Sequence, residues 1–275
     1  MANVSLEAVK TLRERLGAGM VDSKNALIEA DGDIEKAVEI LRLKGMKGVA
    51  KREGRSASEG LVAAQEHGSA TTLIELVCET DFVSKNEKFI ALANTVLDSI
   101  VAAGARTRED ALAAPLGGKT VADAIQDEAA ILGEKVELRG VAVVEGEKFA
   151  VYLHKTNKDL PPQVGVVVGY SGDDAETARA VAQHISFADP LYVSREDVPA
   201  ADIERERQLV TEIAQNEGKP EAALPKIIEG RINGFFKTIV LMDQDYARDN
   251  KQSVSQVLGD AGLTVSGFAR FKVGA

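Results

Sequence analysis

The sequence contains few of the residues that most often mark redox, metal or membrane function. Among its 275 residues it has one cysteine, three histidines and no tryptophan. A single cysteine excludes a disulfide within the chain, which favours a reducing compartment. The N-terminus carries no apolar signal segment, and no run of about 18 apolar residues occurs. We therefore expect a cytoplasmic protein without a membrane partner.

The acidic balance of the chain argues against direct binding of nucleic acid. The formal net charge is −10. Residues 1–55 carry 11 Lys/Arg and 9 Asp/Glu, net +2, which leaves 22 and 34, net −12, for the remainder. Because affinity for a phosphate backbone comes largely from clustered cations, an acidic body is poorly suited to it. The small basic excess at the N-terminus is more typical of a solvated surface.

Motifs for nucleotide binding, metal binding and hydrolysis are absent or incomplete. Gly117–Thr120 reads GGKT, but Ala113 stands where the first glycine of a phosphate-binding loop is needed. No G-x-S-x-G elbow occurs. Three histidines lack a second histidine or a cysteine at metal-ligand spacing: His67, His154 and His184. Cys78 lies in an apolar run, as a buried small residue would. We therefore predict no metal, no cofactor and no bond-making chemistry.

Residues 5–45 show the periodicity of three short helices. Ser5, Asp22 and Asp33 can each cap one of them, and Gly45 can end the third. Each helix has apolar residues on one side, so the three can cover one another in a small bundle. The positions expected to point inward are Leu6, Val9, Leu12, Leu16, Ala26, Leu27, Ala30, Ile34, Ala37, Val38 and Leu41.

A pattern of strand, strand and helix then occurs twice. The first copy comprises Leu61–Ala64, Thr72–Val77 and a helix at Phe89–Ile100. The second copy, roughly 90 residues later, comprises Phe149–Leu153, Val164–Val168 and a helix capped by Asp174. A further helix is expected at Val121–Leu132, and strands at Val141–Val144 and Val265–Phe271 can each complete one sheet. We therefore predict an α+β core of two similar halves.

Two long helices are expected within the second half, at about Val198–Ala214 and Lys226–Leu241. Gly218-Lys219-Pro220 joins them, and a connection this short favours an antiparallel helical hairpin. Pro225 fits the first turn of the second helix, where its missing N–H costs nothing.

Candidate interaction sites are few. Phe82 stands where a strand gives way to polar residues, and from the residues alone we interpret its ring as a core group beneath the next helix. His154 ends a strand and is typical of a surface or capping histidine. Met20 lies on a glycine-rich turn. Such features leave two rival functions open: an adaptor whose N-terminal bundle binds a peptide, and an enzyme with scattered site residues.

Several longer segments are similar to signatures of the bacterial elongation factor Ts family. They are LRERLGAGMVDSKNALIEADGDIEKAVEILR, CETDFVSKNEKF, EGRINGFF, VSQVL and VSGFARFKVG, in the family's order and over essentially the whole chain. The chain departs from the family pattern at Leu16, Val21 and Ser23, where the family often has Thr, Met and Cys. The resemblance implies nucleotide exchange on elongation factor Tu, the GTPase that delivers aminoacyl-tRNA, in both its GDP-bound and nucleotide-free states.

The resemblance also implies a domain organisation. A ubiquitin-associated-like helical domain would occupy residues 1–54, with a linker at about 47–58. Two core subdomains would follow at 55–140 and 141–275, the second carrying the helical hairpin at about 190–240. A dimer through that hairpin is allowed. We expect no C-terminal helical module of the kind that longer members add.

Carried across by motif, the resemblance implies a set of partner-binding residues. They are Thr80, Asp81, Phe82, Val83, Arg13, Met20, Lys24, Leu132, Gly133 and His154. Asp81 and Phe82 would approach the Mg²⁺ side of the partner's nucleotide site, where the ring wedges between two helices. Asp81 would serve at that magnesium site or cap the helix that follows. His154 would lie near the same contact.

Overall fold

The computed structural model describes residues 4–16, 20–52 and 54–275. The helices of these residues are α1 (Leu6–Leu16), α2 (Met20–Glu29), α3 (Ile34–Arg52), α4 (Asp81–Ser84), α5 (Glu87–Ala103), α6 (Arg108–Ala113), α7 (Val121–Leu132), α8 (Ala175–Ala188), α9 (Ala200–Asn216), α10 (Leu224–Ile239) and α11 (Val254–Asp260). The strands are β1 (Glu59–His67), β2 (Ala70–Cys78), β3 (Pro115–Leu116), β4 (Lys119–Thr120), β5 (Val136–Glu145), β6 (Lys148–His154), β7 (Val164–Ser171), β8 (Asp245–Tyr246), β9 (Asp249–Ser253) and β10 (Thr264–Lys272). The fold is α+β, as the sequence predicts.

The three N-terminal helices pack on one another around a small apolar core. Its buried members are Val9, Leu12, Ala26, Leu27, Ala30, Ala37 and Val38. The predicted caps at the first and third helices are confirmed: Ser5 Oγ accepts the N–H of Ala8 at 3.0 Å, and Asp33 Oδ1 accepts the N–H of Glu35 at 2.9 Å. Residues 17–19 lie outside the described part of the chain, as do the side chains of Arg13 and Leu16.

Three details of the predicted bundle are wrong. Leu6 is exposed, because side chains point towards the N-terminus of a helix and the first residue has no earlier turn to cover. Asp22 does not cap α2, since that helix already begins at Met20. Gly45 does not end α3, which continues to Arg52.

Tertiary packing accounts for the longer third helix. A glycine inside a helix costs about 1 kcal/mol, which contacts elsewhere on the helix can offset. Helix α3 packs along α7, and the side chain of Ile131 joins the apolar core of the bundle. Arg52 donates from its guanidinium to the carbonyl of Ala129 at 3.3 Å. The N-terminal part of the predicted linker at 47–58 is therefore helical, and the bundle contacts the core directly.

The first sheet has the strand order β1-β2-β5, with antiparallel neighbours. One face packs on α5 and α7 through a core that includes Ile74, Leu76, Phe89 and Ile100. The expected domain boundary between residues 140 and 141 falls inside β5, whose pairing with β2 continues to Glu145. The first sheet thus extends past that boundary.

The second sheet repeats this arrangement with the order β10-β7-β6, so that the second strand of each half is again central. Helix α8 covers one face, and its predicted cap is present: Asp174 Oδ1 accepts the N–H of Thr177 at 2.9 Å. The other face packs against the first sheet through Val167 and Ala269, which meet Val62 and Leu73. The two similar halves predicted from the sequence are present.

The helical hairpin is formed by α9 and α10, which pack through Val210, Ile232 and Phe236. Pro225 lies in the first turn of α10, as predicted. The hairpin returns to the core where the N–H groups of Leu191 and Tyr192 both donate to the carbonyl of residue 239. Within the described part of the chain, no helix has the length and apolarity that crossing a membrane requires.

Candidate functional site

Thr80-Asp81-Phe82-Val83, referred to below as the T-D-F-V corner, forms a tight turn between β2 and α5. The strand ends at Cys78, and the Sγ–H of that residue donates to the carbonyl of Thr80 at 3.3 Å. Thr80 is extended and precedes the four-residue helix α4. Asn86 then caps α5 by accepting the N–H of Lys88 at 2.9 Å. Asp81 therefore does not cap the following helix, and that alternative is wrong.

The ring of Phe82 projects from this corner into solvent. The residue is 73% exposed, so the interpretation of Phe82 as a core residue is wrong. A helix of four residues buries only one side, and here Val83 and Ser84 occupy that side. Lys85 lies beside the ring, with Nζ 4.4 Å from the ring centroid and 3.4 Å from Asp81 Oδ2. One face of the ring therefore has a cation against it.

Two carboxylates connect this corner to the end of α7. Glu134 accepts the N–H of Thr80 at 2.9 Å and the hydroxyl of Thr80 at 2.5 Å. In return, Glu79 Oε1 accepts the N–H of Lys135 at 2.7 Å. Gly133 ends α7 in the left-handed region, at φ +79°. The structure therefore brings Leu132 and Gly133 next to the T-D-F-V corner.

The segment that follows α3 contacts the same corner. Arg55 lies 3.2 Å from Glu79 Oε2, and Lys135 Nζ donates to the carbonyl of Arg55 at 3.2 Å. Burial alone would raise the pKa of the Glu79 carboxyl, but the N–H of Lys135 and the Arg55 guanidinium outweigh it and lower that pKa. The lowered pKa favours the ionised form of Glu79, which lies between Arg55, the corner and the end of α7.

His154 lies at the same end of the core. It is exposed at the end of β6, and its Nδ1 is 3.0 Å from the hydroxyl of Tyr152. Its carbonyl accepts the N–H of Gln163, whose side chain donates to Glu59 at 3.3 Å. Glu59 in turn pairs with Cys78, just before the corner. The sequence assigned His154 to the surface, and the structure agrees.

Helix α2 presents an apolar stripe to solvent. Met20, Val21 and Ile28 are all exposed, and the exposed Lys24 lies among them at helical spacing. Two of these four, Met20 and Lys24, belong to the predicted partner-binding set. The side chain of Arg13, the third N-terminal member, is outside the described residues. The stripe is therefore an exposed apolar surface of the bundle.

Sequence reasoning missed four residues of the site: Glu79, Lys85, Glu134 and Ile28. Adjacency was the available signal for three of them, since Glu79 and Lys85 flank the motif and Glu134 follows Leu132-Gly133 directly. Ile28 continues the i, i+4 spacing of Met20 and Lys24. No local pattern, however, predicts that Glu134 binds Thr80.

Cys78, the cysteine beside this corner, is fully buried. Burial raises the pKa of the Cys78 thiol, so the thiolate is disfavoured. No group of His, Cys, Asp and Glu in the described ranges could hold a metal ion. The GGKT stretch is a β-turn, in which Gly117 and Gly118 have positive φ, and Thr120 caps α7 with a capping box. That turn is a loop that leads into α7, as predicted.

Comparison with known proteins gives one consistent result. A family model described as Elongation factor TS matches residues 79–275. The chain is 70% identical over 276 residues to Elongation factor Ts of Leifsonia xyli subsp. xyli and 69% identical over 275 residues to that of Clavibacter sepedonicus. It is 55% identical over 277 residues to Elongation factor Ts of Micrococcus luteus. Each of these alignments covers 100% of both chains.

Proposed function

Because this chain belongs to the elongation factor Ts family, we propose that it is a guanine-nucleotide exchange factor for elongation factor Tu. It binds the GDP-bound and nucleotide-free forms of that GTPase in the cytoplasm and accelerates GDP release during translation elongation. It makes and breaks no covalent bond in doing so. The observation that carries the proposal is an exposed Phe82 on a fixed corner, in a chain that matches the family over its length.

Exchange of this kind is a matter of linked binding equilibria. A protein that binds empty elongation factor Tu more tightly than the GDP-bound form must weaken GDP binding by the same factor. GDP and Mg²⁺ are held by preorganised donors and oxygen ligands. A shift of those groups by about 1 Å forfeits charge-assisted hydrogen bonds, which are among the strongest in proteins.

We assign to Phe82 the role of shifting the groups of elongation factor Tu that hold GDP and Mg²⁺. A ring inserted into an apolar seam between partner helices transmits strain, because packed interiors resist compression. Burial of the ring also contributes about 3 kcal/mol to the complex, which helps to offset the distortion. Asp81, beside the ring, would approach the Mg²⁺ ion of the partner; in the free protein its carboxylate lies 3.4 Å from Lys85 Nζ.

The remaining predicted residues would extend the contact on either side. Leu132 and Gly133 adjoin the corner and would face the phosphate-binding side of the partner. His154, at the same end of the core, would pack beside the inserted ring. Met20 and Lys24 on the α2 stripe would meet the nucleotide-binding domain of the partner.

A release assay tests the proposal. Elongation factor Tu is loaded with fluorescent GDP, this protein is added, and dissociation of the nucleotide is followed in the presence of excess unlabelled GDP. We expect acceleration at micromolar concentrations of this protein. Binding without acceleration would support an adaptor instead, and the absence of both binding and acceleration would exclude elongation factor Tu as the partner.

A further inference from the structure

The corner that carries Phe82 lacks the local interaction that normally fixes a helix start. Thr80 occupies the N-cap position of α4, and threonine is a common capping residue. Its hydroxyl nevertheless makes no hydrogen bond to the N–H groups of α4. It donates instead to Glu134, a residue 54 positions later in the chain. The start of α4 is therefore fixed by a tertiary contact.

Every polar group of Thr80 is engaged in this way. The N–H and hydroxyl both donate to the Glu134 carboxylate, at 2.9 and 2.5 Å. The carbonyl accepts the Sγ–H of Cys78 and, at 3.2 Å, the N–H of Ser84. Hydrogen bonds to an ionised acceptor are roughly twice as strong as neutral ones, so the Glu134 contact is the strongest of the set.

We propose that Glu134 is a positioning residue for nucleotide exchange: it fixes Thr80, and through Thr80 it fixes the direction in which Phe82 projects. This inference rests on the proposed function. A ring that must enter a partner's interior gains from being held in place beforehand, because a mobile corner loses conformational entropy on binding. Glu134 follows the Leu132-Gly133 turn directly, so the same carboxylate also fixes that surface relative to Phe82.

Three substitutions distinguish an effect of Glu134 on the position of Phe82 from a general effect on stability. Glu134→Ala removes both contacts to Thr80. Glu134→Gln retains them, since the amide oxygen accepts the N–H of Thr80 and the amide nitrogen donates to the hydroxyl oxygen. Thr120→Ala is the matched control, because it removes a cap at the opposite end of α7 and leaves the corner untouched.

The experiment is a double-mutant cycle on catalysed GDP release. We expect Glu134→Ala to slow release about tenfold, the loss typical of a charge-assisted hydrogen bond. In a Phe82→Ala background the same change should alter the rate by less than about twofold, because residues that act through one another are not additive. Glu134→Gln should restore most of the rate, and Thr120→Ala should leave it unchanged.

Two results would overturn the inference: an unchanged rate in Glu134→Ala, or an equal loss with and without Phe82. If the wild-type protein accelerates no release, the proposed function fails, and amide hydrogen exchange then tests the positioning role separately. Glu134→Ala should increase exchange in residues 79–85, whereas Thr120→Ala should not. Unchanged protection of residues 79–85 in Glu134→Ala would reject the role outright.

Discussion

Replacing Phe82 with alanine tests whether the ring binds a partner or belongs to the core, because the two roles predict different losses of binding and of folding free energy. A fully covered phenylalanine buries about 150–250 Å². With 73% of the residue exposed, about 150 Å² remains available to a partner, which corresponds to about 3 kcal/mol of binding free energy. The covered quarter contributes only about 1 kcal/mol to folding. The substitution should therefore impair exchange far more than stability.

The effect of the substitution on exchange is measured by stopped-flow release of fluorescent GDP from elongation factor Tu. At subsaturating concentrations we expect Phe82→Ala to slow catalysed release by about 100-fold, since about 1.4 kcal/mol corresponds to a factor of ten. Phe187→Ala is the matched control. It deletes the same atoms from a ring that is 84% exposed on α8. This variant should accelerate GDP release from elongation factor Tu as fast as the wild-type protein does.

The effect of the substitution on stability is measured by thermal unfolding, followed by circular dichroism. Phe82→Ala and Phe187→Ala should unfold close to the wild-type temperature. If Phe82→Ala accelerates GDP release as fast as the control does, the ring is not the group that drives exchange. If Phe82→Ala loses several kcal/mol of unfolding free energy, Phe82 is a core residue.

Two further predictions concern stability. Phe89→Ala removes a fully buried ring from the first core and should lower the free energy of unfolding by about 3–5 kcal/mol in urea titrations; a loss below about 1 kcal/mol would contradict the packing described. Burial lowers the pKa of His184, although its hydrogen bond to Gln244 partly opposes this. Because the unfolded state then binds more protons, the unfolding free energy should fall as the pH drops below about 6.5. His184→Gln should make the unfolding free energy depend less steeply on pH between pH 7 and 5.5. An unchanged pH dependence would assign the effect to another group.

Local signals predicted the elements that they alone determine. The helix predicted at about Val121–Leu132 has these bounds in the structure, and its end signals are local: Thr120 starts it with a capping box and Gly133 ends it in the left-handed region. The caps at Ser5, Asp33 and Asp174 were confirmed for the same reason. These interactions join residues two or three positions apart, so they are visible in the sequence.

Contacts between distant residues were not visible in the same way. Gly45 carries the local signal of a helix end, yet packing of α3 on α7 outweighs the cost of a glycine inside the helix. Apolar character alone assigned Phe82 to the core, whereas a four-residue helix has room to bury only Val83 and Ser84. Family resemblance, rather than residue type, indicated that the ring contacts a partner.

The proposed exchange activity requires that this protein bind empty elongation factor Tu more tightly than GDP-bound elongation factor Tu. Titration of both forms, with binding followed by calorimetry, measures this difference directly. We expect a higher affinity for the nucleotide-free form, by the same factor by which a saturating amount of this protein weakens GDP binding. Equal affinities for the two forms would contradict this mechanism of exchange.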